Sequence, residues 1–307
     1  MLDDGGLLMY LHRYRLNTYK NSGFTLVELI VALAIGLIVS AAALQLFTGG
    51  LITTRMQDAS AELQDSGVFG LEYMARDIRL ANYGNINNPI LNDKTSLGGI
   101  VFTSGDPAKV QANLPLAGVD ASLLTKTGGS SNVGTTSDQL TIQFIAPNAM
   151  VNCEGGKVAS GQFVIQRYFL RTDNNGLALA CKANTTGYPP TTAAGLVGNG
   201  EIIMPRVDQL RFYFGVKDGS NLRYYTLANY KTAAAASTDE KAFQIVSVKI
   251  YVLVRSRDTT ESKDIDPSKE SFSFPDGAVI PSDTKTKYMR RMYSTTIAMR
   301  NGLGVKI

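Results

Sequence analysis

The 307 residues of this chain carry a formal net charge of +4, and a composition of 44% hydrophobic and 18% charged residues is typical of a folded protein. Basic residues form no cluster of the kind that binds nucleic acid, so the charge does not predict a nucleic-acid partner. His12 is the only histidine, which excludes a Ser-His-Asp or Cys-His catalytic arrangement in the rest of the chain.

A long apolar segment, residues 24–47, follows an amino-terminal leader that contains several basic side chains. Glu28 is its only charged residue. As a helix the segment extends roughly 36 Å, at about 1.5 Å per residue, which is enough to cross the hydrocarbon core of a membrane. Because basic residues precede it, we expect residues 1–23 to stay in the cytoplasm and the rest of the chain to face outward.

Two ordinary explanations of this segment fit it poorly. A secretory signal peptide has an apolar run of roughly 7–15 residues that ends at a small-residue cleavage site, whereas here the run is longer and Gly23 precedes it. A simple membrane anchor does not account for Glu28, since a carboxylate in hydrocarbon costs about 3 kcal/mol and normally has a partner. The position of this acid therefore indicates more than anchoring.

The start of the segment, residues 23–28, reads Gly-Phe-Thr-Leu-Val-Glu and resembles the class III signal of type IV prepilins and of the pseudopilins of type II secretion. The resemblance implies cleavage after Gly23 by a membrane prepilin peptidase and N-methylation of the new terminal residue, Phe24. It also implies that Glu28 pairs with the terminal amine of a neighbouring subunit. Such a pair neutralises two charges that are each costly in hydrocarbon.

The first residues of the leader depart from this pattern, because Asp3 and Asp4 are acidic where basic residues are expected. A start at Met9 gives a leader of 15 residues whose charged side chains are all basic. We therefore predict that Met9 is the start of translation.

A stem helix is predicted to continue beyond the membrane, with apolar residues at helical spacing. Gly67 and Gly70 are expected to let another element approach this helix closely. The predicted organisation has four parts: a prepilin leader at 1–23, a transmembrane part of the helix at 24–48, a periplasmic amphipathic part at 49–82 and a β-rich head domain at 83–307.

Within the stem, residues 64–84 resemble PilW-type minor pilins and, more loosely, J-type minor pseudopilins. The charged side chains of Arg76, Asp77 and Arg79 lie in this stretch. We interpret them as a solvated face of the helix in preference to a subunit contact.

In the head, the spacing of apolar residues changes from helical to twofold, which is typical of strands with one buried face. Strands are predicted at 140–144, 163–169, 207–216, 222–227, 243–255 and 289–300. Surface loops are predicted at 118–138, 184–200, 228–242 and 256–286, the last because its charges are of mixed sign. The expected fold class is α+β: a long N-terminal helix, membrane-spanning in its first half, packed on a pilin-like β-rich head of antiparallel sheets.

Cys153 and Cys181 are the only cysteines, and a domain exported across a membrane can join them in a disulfide. In a reducing compartment they are two free thiols. Residues 173–176, Asp-Asn-Asn-Gly, are predicted to form a turn that brings the cysteines close. A calcium loop is the alternative for this turn, but it lacks further acidic positions, so no metal and no cofactor are predicted.

The closing residues 293–301 also resemble PilW-type minor pilins. The resemblance implies a non-enzymatic subunit that co-assembles with other minor pilins to initiate or cap a type IV pilus. The implied partners are the prepilin peptidase, which is also the N-methyltransferase, the other minor pilins, the major pilin and a tip adhesin. The implied location is the inner membrane with a periplasmic head, and later the pilus, at or near its tip.

Two alternatives remain open at this point. A J-type minor pseudopilin of a type II secretion system shares the signal and the stem, although the resemblances at 64–84 and 293–301 favour the pilus. A membrane-tethered enzyme is disfavoured, because the residues after the leader contain no histidine and no recognisable nucleophile or phosphate motif.

Overall fold

The computed structural model describes residues 23–174 and 176–302, and the chain divides into two compact units between Leu51 and Ile52. Apart from Gly23, the predicted leader with its predicted start at Met9 lies outside the described residues. Helix α1 begins at Leu26 and ends at Leu80.

The first unit is the exposed amino-terminal part of α1. Every described residue from 23 to 51 is exposed, including the large apolar side chains. Among the described residues, α1 is the one helix that is long and apolar enough to cross a membrane. Its apolar surface has no partner within this unit, which is the expected state of a helix that lies in lipid or against other helices.

The second unit contains the remaining helical residues, 52–80, which we call the stem, and the head, residues 83–302. The strands in chain order are β1 (Lys126–Gly129), β2 (Ser137–Ile145), β3 (Met150–Val151), β4 (Lys157–Val158), β5 (Phe163–Asp173), β6 (Gly176–Thr186), β7 (Glu201–Met204), β8 (Val207–Asp218), β9 (Asn221–Thr226), β10 (Gln244–Thr259), β11 (Phe272–Phe274), β12 (Gly277–Val279) and β13 (Tyr288–Ala298). Helix α2 (Leu227–Ala236) connects β9 to β10. Short 3₁₀ helices lie at Ala121–Leu123, Ala194–Leu196 and Arg300–Gly302.

Two antiparallel sheets form the head. The first has the strand order β1-β2-β5-β6-β7, and the second has the order β13-β10-β8-β9. The pairs β3–β4 and β11–β12 are separate two-stranded sheets. One hydrophobic core contains buried side chains from the stem and from both large sheets. The predicted fold class, a long apolar N-terminal helix with a β-rich head of antiparallel sheets, is confirmed.

The stem packs on the head through one face. Its buried residues are Ala59, Leu63, Gly67, Gly70, Leu71, Met74, Ala75, Asp77 and Ile78. A Cβ atom added at Gly67 would collide with the ring of Tyr293 on β13, and one at Gly70 would collide with the side chain of Met204 on β7. The prediction that these two glycines permit a close approach is confirmed.

The prediction of a surface loop at 228–242 is wrong for its first part, because all of α2 except Leu227 lies there. The Oγ1 of Thr226 accepts a hydrogen bond from the backbone N–H of Asn229 at 3.2 Å and caps the helix. The helix ends in four consecutive alanines, which have high helix propensity. Its buried residues Leu227, Tyr230 and Ala234 join the core, but after Tyr230 the helix has no apolar side chain larger than alanine that would indicate a buried face.

Candidate assembly sites

The amino-terminal end of α1 holds the residues that the sequence singled out for processing and pairing. Gly23 and Phe24 precede the helix, and Phe24 is 83% exposed. The Oγ1 of Thr25 accepts a hydrogen bond from the backbone N–H of Glu28 at 3.2 Å and so caps the helix. Glu28 lies in the first turn, where the positive end of the helix dipole favours a carboxylate.

This geometry also gives Glu28 a local role at the start of the helix. Thr25 and Glu28 have the spacing of a helix capping box, in which the acid three residues after the cap stabilises the first turn. Capping accounts for an acid at the start of a helix, but it does not account for one that begins a long apolar segment. The processing and pairing roles of Gly23, Phe24 and Glu28 stay predictions.

A buried carboxylate joins the stem to the first sheet. Asp77 is fully buried, and its Oδ2 accepts hydrogen bonds from Tyr168 Oη at 2.8 Å and from Gln166 Nε2 at 2.9 Å. Its Oδ1 lies 3.3 Å from Nε of Arg76, whose side chain is exposed. Burial, and next the charge of Asp77, raise the pKa of Tyr168 well above its ordinary value, so this hydroxyl stays a hydrogen-bond donor.

The burial of Asp77 corrects the interpretation of the charged stretch at the end of the stem. Arg76 and Arg79 are exposed, as a solvated face requires, but Asp77 points into the core. The two hydrogen bonds from Gln166 and Tyr168 fix the rotation of the stem on the head, because turning the helix would break both of them, whereas the contact with Arg76 lies within the helix.

A disulfide lies next to this cluster. Cys153 and Cys181 are bonded in the structure, with their Cα atoms 6.1 Å apart. The backbone N–H of Cys153 donates to Oε1 of Gln166 at 2.9 Å, and its carbonyl accepts from the hydroxyl of Tyr73 on the stem at 3.2 Å. The bond therefore fixes a loop that contacts the stem. The oxidised state of the two cysteines in the exported protein stays a prediction.

The carboxyl end of α1 is held by residues from the far end of the chain. Asn82 follows the helix with a φ of 67°, a conformation that commonly ends helices. The side-chain amide of Asn301 donates to the carbonyl of Arg79 at 3.0 Å, and that of Asn82 donates to the carbonyl of Asn301 at 2.7 Å. The two stretches that resemble PilW-type proteins, 64–84 and 293–301, thus meet at this helix end.

The stretch 256–286 is less solvated than its mixed charges predicted. Asp208 on β8 accepts from Nε of Arg290 at 2.9 Å and lies 3.4 Å from Nε of Arg255. Arg290 also pairs with Glu270 at 2.6 Å, and its side chain is 2% exposed. Glu270 therefore anchors the stretch to β13, and the strands β11 and β12 form a hairpin within it.

Asp138 on β2 is a third buried carboxylate, and it is incompletely paired. Its Oδ2 accepts from the backbone N–H of Phe212 at 3.0 Å, while Nε of Arg211 lies 3.8 Å away. Arg211 also binds Asp276, in the turn between β11 and β12. Oδ1 of Asp138 has no hydrogen-bond partner among the described residues. Burial raises the pKa of Asp138 to about 6, since the neighbouring arginine is shared with a second acid.

The raised pKa of Asp138 predicts a pH-dependent stability. A folded-state pKa of about 6 against an ordinary 3.8 means that the folded chain binds this proton more tightly than the unfolded chain does. This group therefore destabilises the fold above pH 6, by about 3 kcal/mol at most, and the penalty disappears as the pH falls towards 4.

The matched variant for this prediction is Asp138→Asn, which keeps an acceptor for Phe212 and removes the charge. We expect it to be more stable than the wild type in urea unfolding at pH 7, with an advantage that shrinks towards pH 4. A stability difference that is the same at pH 4 and pH 7 would show that Asp138 does not titrate in this range.

Comparison with known proteins finds two matching families. Residues 18–44 match the prokaryotic N-terminal methylation motif, and residues 167–301 match the family of the type IV pilus-assembly protein W, PilW. The chain thus carries a pilin-type methylation motif near its amino-terminal end and a region similar to PilW over most of the second half of the sequence. No curated protein matches it. The type IV-like pilin TTHA1219 from Thermus thermophilus aligns with 78% of this chain and 96% of its own, at a TM-score of 0.41 and 13% identity.

The two matched regions cover different parts of the candidate sites. The methylation motif contains Gly23, Phe24 and Glu28, and the PilW region contains Cys181 and Asn301, whereas Asp77 precedes that region. The motif, together with the one apolar helix among the described residues, fits a membrane-anchored pilin. Pilin families are structural, and the motif implies processing by a prepilin peptidase and assembly with other pilins.

The described residues contain no group of three or more acids, histidines or cysteines that could hold a metal ion.

Proposed function

We propose that this PilW-type chain is a minor pilin: a non-enzymatic structural subunit that co-assembles with other minor pilins to initiate or cap a type IV pilus. In this proposal the chain is cut after Gly23 and methylated on the amine of Phe24. The observation that carries it is the methylation motif at residues 18–44, which spans the proposed cut and leads into the apolar part of α1.

The exposed apolar surface of α1 supports co-assembly. Large apolar side chains from Phe24 to Phe47 are half or more exposed, so they need lipid before assembly and other helices afterwards. Glu28 is the one charge on this surface. In the assembled state it compensates the terminal amine of a neighbouring subunit, because neither charge is stable in an apolar interior without the other.

A second apolar site on the stem also supports contact with a neighbouring subunit. Phe69 is 73% exposed on the face of the stem opposite its buried residues, and Val68, at the edge of the buried face, is 51% exposed. An aromatic side chain at this exposure gains substantially from burial against another chain. Asp65 and Glu72 flank it one turn before and after, which keeps the unassembled subunit soluble.

The proposed route is from the inner membrane, with the head in the periplasm, into the pilus at or near its tip. The partners are the prepilin peptidase and N-methyltransferase, other minor pilins, the major pilin and a tip adhesin. A J-type minor pseudopilin would share the leader and the anchor. The PilW match over residues 167–301 supports the pilus in preference to the secretion system.

The test of this proposal is the substitution Glu28→Gln, which keeps the size of the side chain and removes its charge. We expect the variant to insert in the membrane normally and its co-purification with the other pilin subunits of the cell to fall at least about tenfold, because the partner amine loses its counter-charge. A second substitution, Gln45→Glu, places an acid later in the same apolar segment. Combined with Glu28→Gln, it should not restore the co-purification that the single variant loses. Normal surface piliation and normal co-purification of Glu28→Gln would contradict charge pairing.

A further inference from the structure

The second sheet of the head ends in a long edge strand. Strand β13 has 11 residues and, among the described strands, pairs only with β10. An edge strand presents alternate backbone N–H and C=O groups away from its sheet, and these groups can pair with a strand of another chain. From Arg290 to Ala298 the pairing with β10 has no shift in register, so this edge is regular.

The other edges of the two large sheets are protected against such pairing. Strand β1 has four residues and an irregular register beside Gly129, and β7 also has four residues and a register shift in its pairing with β6. Strand β9 has six residues and continues directly into α2. Short strands, bulges and adjacent helices are the usual means of blocking an edge.

Strand β13 lacks these protections over most of its length. Residues 292–298 read Met-Tyr-Ser-Thr-Thr-Ile-Ala, without proline, glycine or a charged side chain. Ser294, Thr296 and Ala298 are exposed. A regular, uncharged and partly exposed edge strand of this length is a binding site for an extended segment, by the mechanism in which a partner strand is added to a sheet.

The charges at the two ends of this edge indicate the kind of partner. Arg291 near its start and Arg300 just beyond its end are exposed, and neither forms an ion pair with a described carboxylate. A second copy added antiparallel with Thr295 opposite Thr296 would bring the exposed Arg300 of each strand opposite the exposed Arg291 of the other, and like charges opposed across strands are unfavourable. A strand with acidic residues at its ends fits better.

We propose that β13 receives an extended strand of another pilin-type subunit, with acidic residues placed opposite Arg291 and Arg300. This rests on the proposed function, since the partner belongs to the same fibre. The contact would add main-chain hydrogen bonds between heads to the contacts between stem helices.

The test compares hydrogen–deuterium exchange of the full processed protein alone in detergent and in the complex that co-purifies with the other pilin subunits of its cell. Amides of residues 292–298 that point away from β10 are expected to exchange at least about tenfold more slowly in the complex. Amides of β9, the opposite edge of the same sheet, are the internal control and should exchange at the same rate in both samples.

A charge reversal provides the second readout. Arg291→Glu combined with Arg300→Glu is expected to lower the yield of the complex about tenfold, since both ends of the edge would then repel an acidic strand. Arg223→Glu on β9 is the matched control, because it reverses an exposed charge on the other edge, and it should leave the yield unchanged. Both variants should unfold at the wild-type temperature, which separates loss of binding from loss of folding.

The outcomes distinguish this proposal from the proposed function. A complex that forms without slower exchange in β13 overturns the strand addition and leaves co-assembly standing. Slower exchange that appears in the isolated protein as its concentration rises means that a second copy occupies the edge, which overturns the acidic partner. If the wild-type protein forms no complex with other pilins, both proposals fail.

Discussion

Substitution of Asp77 by alanine is expected to lower the free energy of unfolding of the stem and head by about 3 kcal/mol. The reason is that Tyr168 and Gln166 would keep buried donors aimed at a site that no longer accepts hydrogen bonds. Both side chains are fully buried, so water does not replace the missing carboxylate without a rearrangement of the core. Urea unfolding followed by circular dichroism measures the difference.

Two further variants separate the cause from a general effect of mutating the stem. Glu72→Ala removes a carboxylate from the exposed face of the same helix, where the side chain is 69% exposed, and should change stability by less than about 0.5 kcal/mol. Asp77→Asn keeps an acceptor but loses the charge, so it should lie between the wild type and Asp77→Ala. If Asp77→Ala is as stable as Glu72→Ala, the buried carboxylate does not hold the stem.

Replacing Gly23 by valine is expected to abolish processing, the largest effect on the route to the fibre. The proposed cut follows this residue. Glycine has no side chain, whereas the β-branched side chain of valine would crowd the scissile bond. The variant should keep its leader, and Phe24 should then carry no free amine. Without that amine a neighbouring Glu28 has no partner, so assembly should fail together with processing.

The control for this prediction is Gly36→Val. Gly36 lies within the same apolar segment, and a Cβ atom added there meets nothing within 4 Å, so a valine is accommodated. In cells that contain the peptidase, its intact mass should be that of the processed wild type plus the difference in mass between valine and glycine. A processed mass for Gly23→Val would show that processing does not depend on glycine at this position.

The features that sequence predicted correctly depend on neighbouring residues. An uninterrupted apolar run sets the amino-terminal part of α1, and the alternation of Leu140, Ile142 and Phe144 sets β2, because each pattern is complete within one element. The two close approaches to the stem followed from Gly67 and Gly70 for the same reason. The methylation motif was also readable from residues 23–28, because that signal is contiguous.

The features that sequence missed depend on residues far apart in the chain. Asp77 lies on the buried stripe of the stem, three residues after Met74, and this position was available as a signal. The two side chains on β5 that donate hydrogen bonds to Asp77 are Gln166 and Tyr168. They could not be assigned before the fold was known. The capping of α1 by Asn301 joins residues more than 200 positions apart, and α2 has a weakly apolar face that no periodicity marks.

The most direct test of the account is the mass of the amino-terminal peptide of this protein in pili sheared from intact cells. The account predicts that the protein is present in this fraction, and that its first peptide begins at Phe24 with one methyl group on the terminal amine. A protein that is absent from purified pili, or that begins before Phe24 in them, would contradict the proposal that it is a processed minor pilin.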